Sequence, residues 1–468
     1  MLKGSTEQSR NNIKDIRFGT WSKPSFKSYV EKSINGATIM NTSQDEPLVL
    51  RGKILTFINN KLDYKYWEKG AILIEKGIIT EVGNHSDIDA PQNSKVIDYG
   101  EDLIVPGFID GHVHYPQMGV IGSYGKKLID WLNYYTYPEE VKFSSYTYAQ
   151  SVAKLFLSET LKNGYTTSAT FCTVHPESVD AFFYEAQKIE MRVIAGKVLM
   201  DRHAPDTLLD TAQKSFDDSQ KLINRWHDNG RGLYAVTPRF APTSTPGQLE
   251  VAGALFSNNN NVYLQSHVSE QLDEVDWVAD LFPESSSYLD VYNRFSLLGK
   301  RALYGHGIYF SESDIEIASA TDTTIIHCPT SNLFLGSGLF EYEKLRDAGI
   351  RLGLGTDIGG GTSLSPFATM KAAYEIAQFN NYSLSPLENF YRVTFGGANA
   401  LHLDNKIGQI KSGFEADLTI IDLSSTDIIK NRMREVKNLP EMLFTQIMLA
   451  DDRAIRSTFV NGKLVYEK

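Results

Sequence analysis

Cysteine is nearly missing from this chain, which carries only Cys172 and Cys328. The two stand far apart and form no Cys-x-x-Cys, which argues against a disulfide framework or a cysteine-rich zinc site and fits a reducing, cytoplasmic setting. Also missing is any uninterrupted apolar run long enough to cross a bilayer. Met1 to Asn12 are polar, so neither secretion nor membrane anchoring is expected. No basic cluster offsets the balance of 46 Lys+Arg against 57 Asp+Glu, a formal charge of -11, so nucleic acid and anionic membranes are excluded as partners. Gly-x-Ser-x-Gly, the P-loop and Gly-x-Gly-x-x-Gly do not occur, leaving serine hydrolase, NTPase and dinucleotide readings without support.

What is present is ordinary globular composition, 42% hydrophobic and 22% charged, in 468 residues. That exceeds what one core usually organises, so a large domain with a smaller companion is expected. Residues 1–46 read as a polar N-terminal extension rich in Ser, Asn, Lys and Gln, with scattered aromatics at Phe18, Trp21, Phe26 and Tyr29. From Leu48 short β-type runs begin, including Ala71 to Val82 with Lys76-Gly77 as a turn. The far end repeats the style, with Ala416 to Leu423 and then a hairpin around Asn461-Gly462. Residues 47–103 and 405–468 are therefore expected to build one small β-sandwich.

Residues 104–404 alternate between β-rich and helical segments, the mark of parallel βαβ units. Candidate strands are Leu103 to Ile109, Tyr165 to Phe171, Arg192 to Val198, Gly232 to Thr237, Asn261 to Ser266, Ala302 to Gly305, Thr323 to His327 and Ile350 to Gly355. Eight such units predict a (β/α)8 barrel of the TIM type. A helix over Tyr146 to Lys162 is expected to close at Asn163-Gly164.

The chemistry falls at strand ends, where barrel enzymes carry their active sites. His112 and His114 lie two apart, so on extended backbone both imidazoles face one side. Alone, that pair is balanced between a metal half-site and a solvated pair. His267, His306 and Asp357 close later strands, and His and Asp are suitable donors for Zn²⁺ or Fe²⁺ in a site that leaves room for a reactive water. Glu270 follows His267 by three residues, placed for proton transfer, the bland alternative being a solvated helix opener.

These residues sit in runs that resemble the amidohydrolase superfamily and, within it, the guanine deaminases. The runs are Pro106 to Gln117, Met200 to Pro205, Thr237 to Thr243, Ser266 to Glu270, His327 to Asn332 and Gly353 to Gly359. The likeness extends over nearly all of the chain beyond residue ~45. It implies one zinc ion, with iron as the alternative, on His112, His114, His267 and Asp357, and His306 beside the water or substrate. It also implies that Gln117, Arg239 and Phe240 grip a purine, that guanine and water are the substrates, and that the protein is a homodimer. Two positions depart from the pattern: Gly111 stands where Thr is expected, and Tyr309 where relatives often have His.

The expected reaction is hydrolytic deamination of guanine to xanthine and ammonia, with Glu270, His306 and Asp357 as catalytic residues. The alternatives are a deaminase of another aminopurine or an aminotriazine, and a silent scaffold homologue. Ala235 to Arg239 lacks the bridging lysine of two-metal relatives, and a cytidine-deaminase site needs more cysteine than the chain has.

Overall fold

A computed structural model describes residues 46–60, 62–125 and 127–468. Nearly all of the expected N-terminal extension, including its aromatics, lies outside the described residues. The strands are β1 (Leu48–Phe57), β2 (Tyr64–Glu75), β3 (Ile78–Asn84), β4 (Lys95–Pro106), β5 (Phe108–His114), β6 (Tyr165–Phe171), β7 (Arg192–Gly196), β8 (Val198–Leu199), β9 (Gly232–Pro238), β10 (Tyr263–Val268), β11 (Ala302–His306), β12 (Thr324–His327), β13 (Arg351–Leu354), β14 (Leu418–Ile421), β15 (Ile455–Val460) and β16 (Lys463–Glu467).

A seven-stranded sheet in the order β16-β15-β14-β4-β1-β2-β3 joins both ends of the chain. Its apolar face gathers Leu50, Ile54, Ile72, Ile104, Leu418, Ile420 and Phe459 into one cluster. The two tight turns of the sheet have the positive φ pairs of a primed hairpin: Lys76 and Gly77 at 51° and 81°, Asn461 and Gly462 at 50° and 75°. They pack tip to tip, for a Cβ on Gly462 would lie 2.9 Å from the Cα of Gly77.

The second sheet runs β5-β6-β7-β9-β10-β11-β12-β13, every adjacent pair parallel, with β8 a short addition on β9. It curls into a barrel whose ends meet. Asp357 donates its backbone N–H to the carbonyl of His112 (2.8 Å), and His114 donates to that of Ile358 (3.2 Å). Ile109, Ala169, Ile194, Ala235, Tyr263 and Leu303 from six successive strands form the barrel floor, plugged from below by Ala398 and Leu401. The (β/α)8 barrel with a smaller β unit from both chain ends is therefore as expected, and that unit, read as a sandwich from sequence, is one seven-stranded sheet.

Strand bounds differ at several places: the expected strand Arg192 to Val198 is broken at Lys197 into β7 and β8, Asn261 to Ser266 is Tyr263–Val268, and one difference separates the two sheets. The apolar run Leu103 to Ile109, read as the first barrel strand, is cut at Gly107. Leu103 to Pro106 belong to β4 and pair with β14, and the barrel strand starts at Phe108. Gly107 donates its N–H to Asp417, and a Cβ there would lie 2.1 Å from Thr166 Oγ1. Only glycine lets the chain pass between the two sheets at this point. The predicted helix spans Tyr146–Lys162, and Gly164 follows it with φ +81°.

Candidate functional site

The site begins with an irregularity in β5. Asp110 pairs with Ser168 and Val113 with Thr170, so three steps on β5 oppose two on β6, a β-bulge that re-aims the side chains after it. Ile109 points into the barrel floor, yet His112 and His114 also face the interior, which strict alternation forbids and the extra residue permits. Gly111 lies in the bulge, where a Cβ would be 3.0 Å from Ile326 Cδ1 and 3.2 Å from the Leu354 carbonyl. That tightness at the barrel seam accounts physically for glycine at this position.

Asp110, which sequence reading passed over, fastens the seam. Its Oδ1 accepts the backbone N–H groups of His112 (3.2 Å) and Thr356 (3.0 Å), and its Oδ2 accepts the Thr356 hydroxyl (2.5 Å). Burial raises its carboxyl to about 7 against those bonds, which pull the other way. The strands carrying His112 and Asp357 are thus tied together two residues before the first and one before the second.

His112, His114, His267 and Asp357 converge. Nε2 of His267 lies 3.2 Å from that of His112 and 3.1 Å from that of His114. Asp357 Oδ1 lies 3.5 and 3.4 Å from the same two imidazole nitrogens. One donor atom from each of the four falls within 4.8 Å of the others. Burial holds His112 and His267 down to about 3 and drives His114 well below the ordinary range, so the rings are neutral, the form that binds metals. Nδ1 of His267 faces the Arg239 carbonyl at 2.6 Å. With its proton there, the lone pair on Nε2 points inward. Phe171 backs the cluster, stacked 4.5 Å from His114. This donor set fits a single divalent ion. A second combination, His112, His306, Cys328 and Asp357, also lies within reach, but burial pushes the Cys328 thiol far up, away from the thiolate a metal needs.

His306 and Glu270 stand beside the cluster. His306 Nε2 is 3.5 Å from Glu270 Oε2 and 3.8 Å from Asp357 Oδ2, and it has no hydrogen-bond partner among the described residues. Its Nδ1 accepts from the side-chain amide of Asn332 at 2.9 Å, which leaves the proton on Nε2, facing the cleft. Glu270 is no solvated helix opener. It is buried, its carboxyl is raised well above the usual range by burial and then by Glu274 and Asp357, and Ser337 donates to Oε1 at 3.2 Å. Glu274 caps the helix Leu272–Leu281 and accepts the backbone N–H of Glu270 at 2.9 Å, fixing where that side chain starts. Ser269, His306 and Asp357 all hold positive φ, at 49°, 76° and 50°. Such conformations cost about 1–3 kcal/mol each and gather where geometry serves a site.

The cleft that holds the cluster is lined by both polar and apolar side chains. His114, Gln117, Leu128, Trp131, Leu132, Arg239, Phe240, His267, Glu270, His306, Leu335, Asp357 and Gly360 line it, and it opens to solvent. Gln117 Oε1 accepts the N–H of Gly359 at 3.3 Å. Arg239 Nη1 donates to both oxygens of the fully buried Glu140, at 2.9 and 2.8 Å. Every site residue expected from sequence except His112, which joins the ligand cluster without lining the cleft, reaches this cleft. His203, in the run Met200 to Pro205, does not line it; its ring packs on Trp277, 5.1 Å away. Glu140, Asp110, Asn332 and the wall residues Leu128, Trp131 and Leu132 were missed. Asp110 and Asn332 carried a signal, their places in the runs from Pro106 and from His327.

Comparison with known proteins agrees with this geometry. The model of the amidohydrolase family matches residues 103–465. Guanine deaminase of Escherichia coli K12 is 44% identical over 409 residues, 86% of this chain and 92% of its own, and the human guanine deaminase is 31% identical over 379 residues, 78% and 83%. The solved structure of the E. coli enzyme superposes with a TM-score of 0.87 at 41% identity, covering 90% of this chain and 99% of its own. A guanine deaminase from C. acetobutylicum, solved with guanine in its active site, superposes at 0.82 with 30% identity, covering 90% and 100%. The chain belongs to the amidohydrolase family, among the guanine deaminases.

Proposed function

We propose that this protein deaminates guanine hydrolytically to xanthine and ammonia. The observation that carries the reading is one cleft that joins His114, His267 and Asp357 of the metal-ligand cluster to apolar walls and to the polar side chains of Gln117 and Arg239. His112, His114, His267 and Asp357 would hold zinc, or iron in its place. When bound, such an ion acidifies a water from pKa ~15.7 toward ~7 and makes it nucleophilic at neutral pH.

The remaining work belongs to the chain. Trp131, Leu132 and Phe240 pack on the faces of the ring, while the Arg239 guanidinium and the Gln117 amide meet its polar edge. That orients the carbon bearing the exocyclic amine toward the histidines. Asp357 Oδ2 takes a proton from the attacking water. Glu270 holds one at Oε2 and gives it to the ring nitrogen beside the reacting carbon; it then takes the second proton of the added water and delivers that one to the departing amine, which leaves as ammonia as the carbonyl forms, and the proton held by Asp357 returns to Glu270. His306 donates from Nε2 to the oxygen being added. Water is otherwise kept out by Leu128 and Leu335.

The test is ammonia release from guanine against adenine, cytosine, aminotriazines and 8-oxoguanine. Guanine should be preferred, and a preference for any other would overturn the specificity while leaving fold and metal site standing. Glu270→Gln should lower kcat by about 10²–10⁴ with metal content unchanged, and retained turnover would remove its role. The reading also takes the protein to be a cytoplasmic homodimer, on the sequence resemblance; a monomer by light scattering would contradict it.

A further inference from the structure

We propose that Glu140 determines specificity by cancelling the charge of Arg239 at the purine end of the cleft, so that the slot selects an uncharged ring over an anionic one. The inference rests on the reading that Arg239 and Gln117 face the substrate. Glu140 ends the short helix Tyr137–Glu140 and has no solvent exposure. Both of its oxygens converge on a single nitrogen, Arg239 Nη1, and Gln117 Nε2 lies 3.5 Å from one of them. Tyr137 from the same helix puts its ring 5.4 Å from the guanidinium carbon. The guanidinium makes no other hydrogen bond among the described residues, so its remaining N–H groups are available to a ligand.

Arg239 is itself nearly inaccessible to water apart from the cleft. A guanidinium in that setting with no counter-charge would draw an anion strongly, because little solvent screens it. With Glu140 ionised against it, the pair offers hydrogen-bond donors without net charge. A neutral base with acceptor atoms on its edge is then favoured. The arrangement also bears on turnover: replacing a ring amine by a carbonyl makes a purine more acidic, and an uncompensated Arg239 would hold the ionised product. Glu140 thus favours product release as well as substrate choice. It acts through Arg239 and is a positioning and specificity residue, not one that touches the reacting atoms.

The experiment uses the full-length, metal-loaded protein and two purines that lack the leaving amine: urate, an anion at neutral pH, and hypoxanthine, neutral there. Glu140→Gln keeps size and shape and removes the charge. It should shift the ratio of the two dissociation constants toward urate by tenfold or more, while the KM for guanine rises. Glu140→Asp, which keeps the charge, and the double variant Glu140→Gln with Arg239→Gln, which removes both charges, should keep the wild-type ratio. A Glu140→Gln protein that weakens both ligands equally, as a merely structural residue would, overturns the proposal. If that variant does not fold, a tenfold shift in either of the others overturns it. Wild-type protein inactive on guanine would overturn the functional reading together with this one, whereas active wild-type protein with an unmoved ratio removes this one alone.

Discussion

Gly305→Ala should disable the metal centre while leaving the barrel folded. Gly305 lies in β11 directly beside His112, and a Cβ there would sit 2.6 Å from Cε1, 2.8 Å from Nδ1 and 3.1 Å from Nε2 of that ring. Ordinary contact begins near ~3.4–4 Å, so the imidazole must retreat by roughly 1 Å. The His112 backbone is also closely held, for a Cβ on Gly355 would lie 2.9 Å from the Cβ, N and carbonyl O of His112. Metal–ligand distances tolerate only about ±0.2 Å, so the displaced ring leaves the coordination sphere or distorts it. Overpacking of this size costs about 1–3 kcal/mol in the metal-free protein. Losing one ligand should weaken zinc affinity by at least ~100-fold, which removes about 2.7 kcal/mol of the stabilisation that bound ion confers at fixed concentration. The assay is a pair of thermal melts, with zinc and with chelator, alongside a chelator-competition titration. The expected result is a small fall in the metal-free Tm and a large loss of the zinc-induced increment. A variant that binds one zinc with wild-type affinity would refute the reasoning, since His112 would then not need the space that glycine leaves.

Two further outcomes follow from the structure. Thr356→Val removes the hydroxyl donated to the buried Asp110 carboxylate across the barrel seam and should cost about 1.5–3 kcal/mol, read as a lower midpoint in urea; an unchanged midpoint would mean the seam does not depend on that bond. Asp102 is raised to about 6, first by burial and then by Asp422, from about 3.9 in the unfolded chain. A carboxyl raised on folding stabilises less once ionised: the penalty is absent below pH ~4, grows between ~4 and ~6, and is complete above. Asp102→Asn should therefore raise Tm at pH 8 and leave it unchanged at pH 4, and equal shifts at both would contradict the assignment.

Much of this molecule was legible from its sequence because the barrel repeats. Apolar β-runs such as Tyr165 to Phe171 lie between turn residues and helical patterns, and each ligand except the first pair stands at the end of such a run. The hairpin at Asn461-Gly462 was readable for a local reason, the φ that those two residues tolerate. The cut at Gly107 was not, because Leu103 to Ile109 reads as one continuous apolar strand and only the three-dimensional separation of two sheets divides it. The bulge in β5 was equally hidden. The His-x-His spacing gave the right convergence, but reaching it from Ile109 requires an extra residue whose presence is visible only against β6. Glu140 and Asp110 share a different cause. A carboxylate becomes informative through its partners, Arg239 and Thr356, 99 and 246 positions away along the chain, and no local pattern marks such a pairing.

The contact between the two hairpin tips has a consequence for how the protein is made. The strand β14 lies between β4 and β15, so its outer edge stays bare until residues 455–467 have left the ribosome and folded back. A chain stopped at residue 454 would present the backbone of Leu418 to Ile421 as an open template for another strand, with Gly77 uncapped beside it. Such a product would self-associate before it ever lost activity, although every residue of the cleft would be present.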